Sequence, residues 1–310
     1  MSELGAYRAL APAKVNLGLF LGPRRESDGR HELVTVMQSI SLADELSLQE
    51  AAPGAERDEI VCPGVPGAPQ ENLAARALEA FRAATGWRAP PLQLRIDKRI
   101  PVAAGLGGGS ADAAAALRLA RLASGLGDEP LLRELAAALG ADVPAQVSPG
   151  RWLASGAGEL LHALPDPFPS LELLVLASAA QLSTADVYGE SDQLGLARER
   201  RELNQRYEQL RHALELGAPL PAARELLHND LQAAAVSLSS AIADTLGEMR
   251  AAGADETLVS GSGPTVVGLF GHANPVGRAE RAAAALAGRV PQPIGAKSVG
   301  AAYAQARAAA

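Results

Sequence analysis

The chain has 310 residues, of which 48% are hydrophobic and 20% are charged. These proportions are typical of a globular protein with one large domain or two average ones, and they exclude an intrinsically disordered chain. The net charge of −7 argues against a general nucleic-acid or anionic-membrane surface. The single cysteine, Cys62, excludes an internal disulfide and is interpreted as an inert thiol. No apolar stretch is long enough for a signal peptide or a membrane helix, so we expect a soluble, cytoplasmic protein without membrane or nucleic-acid partners.

Strands are predicted to dominate the first hundred residues. Alternating or β-rich segments lie at 7–21, 31–40, 44–49, 58–62 and 92–96, separated by proline, glycine and acidic clusters. One helix interrupts these strands, with Asn72 as its N-cap and Gly86 as its stop signal. After the last of these strands, Ser110 is predicted to cap a helix that runs to about residue 123, and a second helix covers 129–139.

The pattern changes after residue 144, where short strands are predicted at 151–153 and 159–161. A proline cluster at 164–169 then predicts a boundary between an N-terminal domain, 1–164, and a C-terminal domain, 165–310. The second half is predicted to contain strands at 171–177, 257–259, 265–270 and 296–303, helices at 195–214, 222–228 and 278–286, and an alanine- and serine-rich helix that ends near 251. Strands and helices alternate without strict βαβ regularity, which predicts an α+β fold in both halves.

Residues 101–112, with the sequence PVAAGLGGGSAD, form the strongest local signal. Glycines at 105, 107, 108 and 109 permit positive φ angles and let backbone N–H groups face inward without obstruction from a Cβ atom. The free N–H groups of the following helix, at the positive end of its dipole, would then form an anion site. The segment therefore predicts a phosphate-binding loop, with a plain loop and helix cap as the alternative. The Walker and Rossmann patterns both fail, because no lysine follows the glycines and position 110 is serine.

Three segments, in this order along the chain, resemble the GHMP kinases, the small-molecule kinases that include galactokinase, homoserine kinase and mevalonate kinase. These segments are APAKVNL at 11–17, the glycine-rich segment from residue 101, and SGSGPT at 260–265. Further pieces are similar to the branch of the family that phosphorylates a hydroxyl of a cytidine-diphosphate-linked substrate in the non-mevalonate route to isoprenoids. They are DGRHEL at 28–33, ENL at 71–73, GADVP at 140–144, LST at 182–184 and NDL at 229–231.

The resemblance implies a two-domain fold with the active site between the halves. The N-terminal half would be related to the ribosomal protein S5 domain 2 and the C-terminal half would be ferredoxin-like. ATP is the implied phosphoryl donor and Mg²⁺ its expected companion, while no oligomeric state is predicted. The predicted ATP site comprises Asn72, Lys98, Pro101, Val102, Ala103, Ala104, Gly105, Leu106, Gly107, Gly108, Gly109, Ser110 and Ala111. We assign no metal ligand, because Ala111 replaces the second serine that some family members use near the metal, and Asp112 is interpreted as a capping residue.

Asp142 is the expected general base, since the resemblance implies that the aspartate of the 140–144 segment accepts the proton of the substrate hydroxyl. Lys14 is expected beside Asp142, where its ammonium would stabilise charge around the transferring phosphoryl group. The alternatives are an Asp142 that only caps a helix or turn, and a Lys14 that lies along a strand with its head in water. Lys14 is one of three lysines among 28 basic residues, and Asn16 shares its face of the strand, which favours the site.

The predicted substrate site comprises Asn16, Arg30, His31, Thr184 and Tyr188. The resemblance implies that His31 reads the cytosine and that Tyr188 forms an aromatic wall of its pocket. Arg30 stands where the family usually has a tyrosine, although a guanidinium plane can also stack on a base.

The third motif and the choice of function leave alternatives open. Gly261, Ser262 and Gly263 are predicted to form a secondary phosphate loop, and a plain hairpin turn explains them nearly as well. A kinase for another small alcohol and a non-catalytic binding relative are the competing functions. Arg30 supports the first of these, whereas the presence of both Lys14 and Asp142 argues against the second.

Overall fold

The computed structural model describes residues 5–65, 67–167, 170–178, 182–215, 227–271 and 277–309. Within these ranges the chain forms a seven-stranded sheet and a four-stranded sheet, with helices packed against both. This arrangement confirms the predicted α+β fold class. No helix in the described ranges is long and apolar enough to cross a membrane.

The larger sheet is built on a long antiparallel hairpin. Its strands are β1 (Tyr7–Arg24), β2 (His31–Glu50), β3 (Glu59–Val61), β4 (Leu92–Asp97), β5 (Arg151–Ser155), β6 (Leu160–Leu164) and β11 (Arg307–Ala308). The order is β11-β1-β2-β4-β3, and the sheet branches at β2, whose first half pairs with β5 and whose second half pairs with β4. The pairing of β6 with β5 completes the branch.

The two strands predicted at 31–40 and 44–49 are a single strand, β2. The pairing passes from Pro12 opposite Ala43 to Lys14 opposite Ser39, so two steps along β1 face four steps along β2. The predicted gap is therefore a bulge, where extra residues bend a strand without ending it. This irregularity lies directly beside Lys14.

Four helices lie between β3 and β5 along the chain: α1 (Leu73–Thr85), α2 (Gly108–Ser124), α3 (Glu129–Leu139) and α4 (Val143–Val147). The prediction for α1 is confirmed, because the Asn72 side chain accepts a 2.9 Å bond from the Ala74 N–H and Gly86 ends the helix in the left-handed region. The predicted cap of α2 is wrong. Gly107, with φ 70°, is the N-cap, so Ser110 lies inside the first turn. The alanines of α2 at 113–116 are fully buried, and their small side chains let the helix lie close to the sheet.

The smaller sheet has the order β10-β7-β9-β8, with β7 (Glu172–Leu176), β8 (Glu256–Val259), β9 (Val266–Phe270) and β10 (Ile294–Lys297). The helices of the second half of the chain are α5 (Thr184–Gln193), α6 (Arg200–Glu215), α7 (Gln232–Leu238), α8 (Ser240–Ala251) and α9 (Arg278–Ala285). Of these, α6 packs against β1, β2, β5 and β6 of the larger sheet. Helix α5 was not predicted, and the helix predicted at 195–214 begins only at Arg200. The predicted alanine- and serine-rich helix is two helices, because Ser239 is extended between α7 and α8.

The end of the chain returns to the larger sheet. The strand predicted at 296–303 stops at Lys297, and a short 3₁₀ helix, Ala301–Ala304, leads to β11, which pairs with β1. Most of the predicted helix at 222–228 lies outside the described residues. The division into domains 1–164 and 165–310 stays a prediction.

Candidate active site

Two cavities meet at the glycine-rich segment. The first has a volume of about 490 Å³ and lies between that segment, Lys98 and the start of α1. The second has a volume of about 800 Å³ and extends from Lys14 and Asp142 to the N-terminus of α5. Gly105, Gly107 and Ser110 line both cavities. A group bound at these three residues is therefore accessible from either side.

The first turn of α2 offers free backbone donors at this junction. Within the described residues, the first helical bond of α2 runs from the Ala111 N–H to the Gly107 carbonyl over 2.9 Å. The N–H groups of Gly108, Gly109 and Ser110 have no backbone or side-chain acceptor in that part of the chain. Three free amides at the positive end of a helix are suited to bind an anion, as the sequence predicts.

Glycine is required at two positions of this segment by close packing as well as by positive φ. A Cβ atom on Gly105, which has φ 73°, would lie 2.5 Å from the Gly263 carbonyl oxygen. A Cβ atom on Gly107 would lie 2.9 Å from Lys14 Cγ. The segment is thus held between the Gly261–Gly263 turn and the Lys14 side chain, which places all three sequence motifs together.

The first cavity contains nearly all of the predicted ATP site. Twelve of the thirteen predicted residues line it, namely Asn72, Lys98, Pro101, Val102, Ala103, Ala104, Gly105, Leu106, Gly107, Gly108, Gly109 and Ser110. Ala111 lines neither cavity, because it lies on the buried face of α2, in the hydrophobic core. Cys62 also lines the first cavity, and burial raises the pKa of its thiol, which makes the reactive thiolate scarcer.

A buried charge cluster borders the first cavity. Lys98 Nζ donates to Asp44 and, over 2.7 Å, to Asp112 Oδ2, while Asp44 also accepts the N–H groups of Arg99 and Ile100. Asp112 Oδ1 is buried without a hydrogen-bond partner in the described chain. Burial raises the pKa of Asp112 to about 7, an effect that Lys98 opposes and the Asp44 charge increases. Burial lowers the pKa of Lys98, but the two carboxylates outweigh it and raise that pKa above its ordinary value.

This cluster assigns Asp112 a place that the sequence did not indicate. Asp112 was interpreted as a helix cap, yet the structure pairs it with Lys98 and leaves the cap to Gly107. Asp44 also belongs to this charge cluster and could not be predicted from the sequence, because its hydrogen bond with Lys98 connects residues 54 positions apart.

Lys14 and Asp142 form an ion pair at the junction of the two cavities. Lys14 Nζ lies 3.2 Å from Asp142 Oδ2 and donates a 2.8 Å bond to Asn16 Oδ1. The Lys14 side chain is 10% exposed and that of Asp142 is 36% exposed, so the carboxylate faces the second cavity while the lysine is enclosed. Asp142 immediately precedes α4 but makes no side-chain cap bond, which removes the capping alternative. The strand-lysine alternative fails too, since the ammonium is not in water.

Asn16 extends this pair into a short polar chain. Its Nδ2 donates to Thr35 Oγ1 over 2.8 Å, and Thr35 Oγ1 donates to the Gly18 carbonyl over 2.7 Å. Because every step has a partner, the Asn16 carboxamide is fixed with its oxygen toward Lys14. Thr35, which was not among the predicted site residues, lies on β2, the strand that pairs with the Asn16 strand β1.

The far end of the second cavity carries the aromatic pair that was predicted to read a base. His31 and Tyr188 have ring centroids 5.6 Å apart at an angle of 40°. His31 Nδ1 is hydrogen-bonded to the Gly22 carbonyl oxygen over 2.9 Å, which orients the ring. Nε2 lies 2.9 Å from Asp192 Oδ1, without the geometry of a hydrogen bond. Burial, with the charge of Asp142 adding to it, raises the pKa of Tyr188 to about 12, which keeps this phenol neutral.

Arg30 and Thr184 complete the predicted substrate residues. Arg30 Nη2 donates to the Ala157 carbonyl over 2.8 Å, which holds the guanidinium at the cavity wall. Thr184 Oγ1 lies 3.1 Å from Ser262 Oγ, so the start of α5 contacts the third motif. All five predicted substrate residues line the second cavity, as do Gly261 and Ser262 of the predicted secondary phosphate loop, whereas Gly263 does not.

Helix α5, which was not predicted, supplies Thr184, Tyr188 and Asp192 to this site. A local signal for its start was present, since Ser183 accepts a bond from the Asp186 N–H as an N-cap does. Asp192 has no such signal. Its pairing with His31 depends on how the two halves of the chain fold together.

Comparisons with known proteins agree with the predicted resemblance. The family model described as GHMP kinases N terminal domain matches residues 72–150, and the one described as GHMP kinases C terminal matches residues 204–291. A relative from Anaeromyxobacter dehalogenans (strain 2CP-C), named 4-diphosphocytidyl-2-C-methyl-D-erythritol kinase, is 41% identical over 290 residues, which cover 90% of this chain and 85% of the relative. A relative of the same name from Streptomyces coelicolor is 43% identical over 265 residues, covering 83% and 85%.

Solved structures show the same fold. A crystal structure of 4-(cytidine 5'-diphospho)-2C-methyl-D-erythritol kinase matches with a TM-score of 0.72 and 33% identity, covering 94% of this chain and 98% of that one. Homoserine kinase from Cytophaga hutchinsonii matches with a TM-score of 0.73 at 16% identity, over 100% and 99% of the two chains, and shows the fold alone. Three motifs brought to one junction, two matching family models and relatives over most of the chain lead to one conclusion: the chain belongs to the GHMP kinase family.

Proposed function

We propose that this chain transfers the γ-phosphoryl group of ATP to the 2-hydroxyl of 4-diphosphocytidyl-2-C-methyl-D-erythritol, in the non-mevalonate route to isoprenoid precursors. The observation that carries the proposal is the junction of the two cavities at Gly105, Gly107 and Ser110, beside the Lys14–Asp142 pair. Relatives that bear the name of this kinase at 41–43% identity support the choice of substrate.

The first cavity is the proposed nucleotide site. ATP is the phosphoryl donor of the family's kinases, and a nucleotide held there would have its phosphates beside the free amides of Gly108, Gly109 and Ser110. Asn72 and Lys98 are proposed to lie near the adenine. Asn72 also caps α1, so its side-chain oxygen is already bonded to the Ala74 N–H.

Asp142 is the proposed general base. As the substrate oxygen forms its bond to the γ-phosphorus, its proton passes to a carboxylate oxygen of Asp142, and the electron pair of the breaking P–O bond leaves with ADP. Lys14 balances the negative charge near the transferring group and, through the 3.2 Å ion pair, holds the Asp142 carboxylate in place. Asn16 fixes the ammonium by accepting its hydrogen bond.

The cytidine end of the substrate is proposed to occupy the far end of the second cavity, against Arg30, His31 and Tyr188. The His31–Tyr188 pair offers an aromatic surface, and the Arg30 guanidinium offers a flat cationic one. Thr184 and Ser262 would close the cavity from the C-terminal half, where their hydroxyls are in contact.

Mg²⁺ is proposed to bind together with ATP, and the donor side chains of the chain are compatible with such an ion. No cluster of three or more His, Cys, Asp or Glu side chains that could hold a metal occurs in the described ranges. Mg²⁺ is commonly held by one or two carboxylates together with substrate phosphates, so the lack of an all-protein cage fits an ion that arrives with the nucleotide. When bound, Mg²⁺ neutralises phosphate charge, and its protein ligands stay unassigned. The cytoplasmic location stays a prediction.

The proposed function is tested by measuring ATP consumption with the cytidine-linked substrate, mevalonate, homoserine or galactose in separate reactions, with an alcohol-free reaction as the control. We expect turnover above the control with the cytidine-linked substrate alone. Turnover of another alcohol alone would show a different small-molecule kinase. Turnover of none would show a non-catalytic relative.

A further inference from the structure

We propose that Arg118 and Gln146 are positioning residues that set the place of the Asp142 carboxylate relative to Lys14. The inference rests on the proposed function, because it concerns the base and the charge stabiliser named there. Neither residue lines the nucleotide or the substrate cavity. Their effect would therefore pass through the backbone of the elements that carry Asp142 and Lys14.

Arg118 connects those two elements directly. It lies in the middle of α2, and its Nη2 donates a 2.8 Å bond to the Leu10 carbonyl of β1, four residues before Lys14. Its Nη1 donates to the Gln146 carbonyl of α4, four residues after Asp142. Burial lowers the pKa of Arg118 to about 10, which still leaves the guanidinium charged at neutral pH.

The Gln146 side chain provides a second connection between the same elements. Gln146 is 2% exposed, and its Nε2 donates a 3.2 Å bond to the Pro12 carbonyl, two residues before Lys14. Its Oε1 lies 3.5 Å from the hydroxyl of Ser39, the residue paired with Lys14 across the sheet. Arg118 and Gln146 together thus bond to β1 on the N-terminal side of Lys14.

The local backbone explains why such bonds are needed. The ladder between β1 and β2 is irregular between Pro12 and Lys14, and the Lys14 N–H bonds to the Leu106 carbonyl over 2.9 Å. Helix α4 has only five residues, and a helix of that length has little stability of its own. The positions of both catalytic elements therefore depend on contacts with their surroundings.

The Asp142 side chain has few bonds of its own that could correct a displacement. It makes no cap bond, and the one ion pair it forms in the described residues is the pair with Lys14. A shift of α4 along β1 would move the carboxylate with it. A displacement of about 1 Å at a reacting group can reduce the rate about 100-fold.

The test measures kcat and KM of Gln146→Met and Arg118→Lys with ATP and the cytidine-linked substrate. Gln146→Met nearly keeps the side-chain size and loses the bond to β1. Arg118→Lys replaces the guanidinium that joins β1 to α4 with a single, shorter ammonium. We expect kcat to fall about 10- to 100-fold while KM for ATP changes less than about twofold. Arg82→Lys is the matched control, because Arg82 on α1 likewise donates to backbone carbonyls, three of them against two for Arg118, but lies away from both cavities. Its kcat should stay within about twofold of the original.

A second comparison separates positioning from a general loss of folded protein. Gln146→Met is introduced into Asp142→Asn, where no base remains to be misplaced. We expect the variant to reduce kcat less than about twofold in that background, because residues that act as a unit are non-additive. Equal fold-losses in the two backgrounds, or an unchanged kcat in the single variants, would overturn the inference. Absence of turnover in the unaltered chain would instead overturn the proposed function, and the inference with it.

Discussion

Asp112 is a carboxylate at the first cavity whose environment makes protein stability depend on pH. In the unfolded chain it would lose its proton near pH 4, whereas in the folded chain burial raises its pKa to about 7. The folded state therefore binds more protons than the unfolded state between these values. In that window the contribution of Asp112 to stability falls as the pH rises, and above about pH 7 the whole penalty is present.

Asp112→Asn is expected to remove this pH dependence. An amide has the shape of the protonated carboxyl and its oxygen can still accept the Lys98 bond, so the variant should resemble the unaltered protein near pH 5. Between about pH 5 and pH 8 we expect its free energy of unfolding to rise relative to that of the unaltered protein. Urea unfolding at several pH values measures this difference. Curves that stay parallel across the range would contradict the buried, raised-pKa state of Asp112.

Individual residues were predictable where the signal is local. The bond of Asn72 to the Ala74 N–H and the left-handed Gly86 follow from residue types at the ends of α1. Ser110 misled the prediction because serine favours caps, whereas a glycine three positions earlier can adopt φ 70° and start the helix sooner. The Lys98–Asp44 bond could not be predicted, since it joins residues 54 positions apart.

Helix α2 has a left-handed glycine at each end, and the two ends differ in what surrounds them. Gly107 has φ 70°, and a Cβ atom there would lie 2.9 Å from Lys14 Cγ, whereas Gly125 has φ 69° with open space where a Cβ atom would lie. The backbone strain of an alanine should be similar at both ends, about 1–2 kcal/mol. A steric clash with Lys14 would arise at only one of them.

Gly107→Ala is therefore expected to lower kcat, and Gly125→Ala is its matched control. Both variants should lose about 1–2 kcal/mol of unfolding free energy. The alanine at 107 also displaces the Lys14 side chain, for which we expect a loss in kcat of about tenfold or more. Steady-state kinetics and urea unfolding of the two variants measure both effects. An equal kcat in the two variants would show that the contact with Lys14 is unimportant.

At the scale of elements, periodicity predicted most helices and strands but not their continuity. Strand β2 looks interrupted in sequence at 41–43, yet its extra residues form a bulge opposite Pro12 and Lys14. Helix α5 is short and polar, with only Val187 and Ser191 buried, so it lacks the apolar stripe by which a helix is predicted. Its three site residues were accordingly predicted from resemblance or not at all.

At the scale of the whole molecule, the site is assembled from both halves of the chain. In the second cavity, Lys14 and His31 lie on strands of the larger sheet, and Asp142 directly precedes α4. Tyr188 lies on α5, and Ser262 lies in the turn between β8 and β9. Local patterns predict none of these contacts. The family resemblance implied a site between the two halves. The close approach of Gly105 to Gly263, and of Gly107 to Lys14, brings the three motifs together.

The Asp142 carboxylate, held by Lys14 beside the junction of the cavities, is proposed to accept the proton of the acceptor hydroxyl. Steady-state kinetics of Asp142→Asn with ATP and the cytidine-linked substrate test this role. We expect kcat to be lowered by about 10²- to 10⁴-fold, with KM for ATP within about twofold of the original. A variant that keeps more than about half of the original kcat would contradict it.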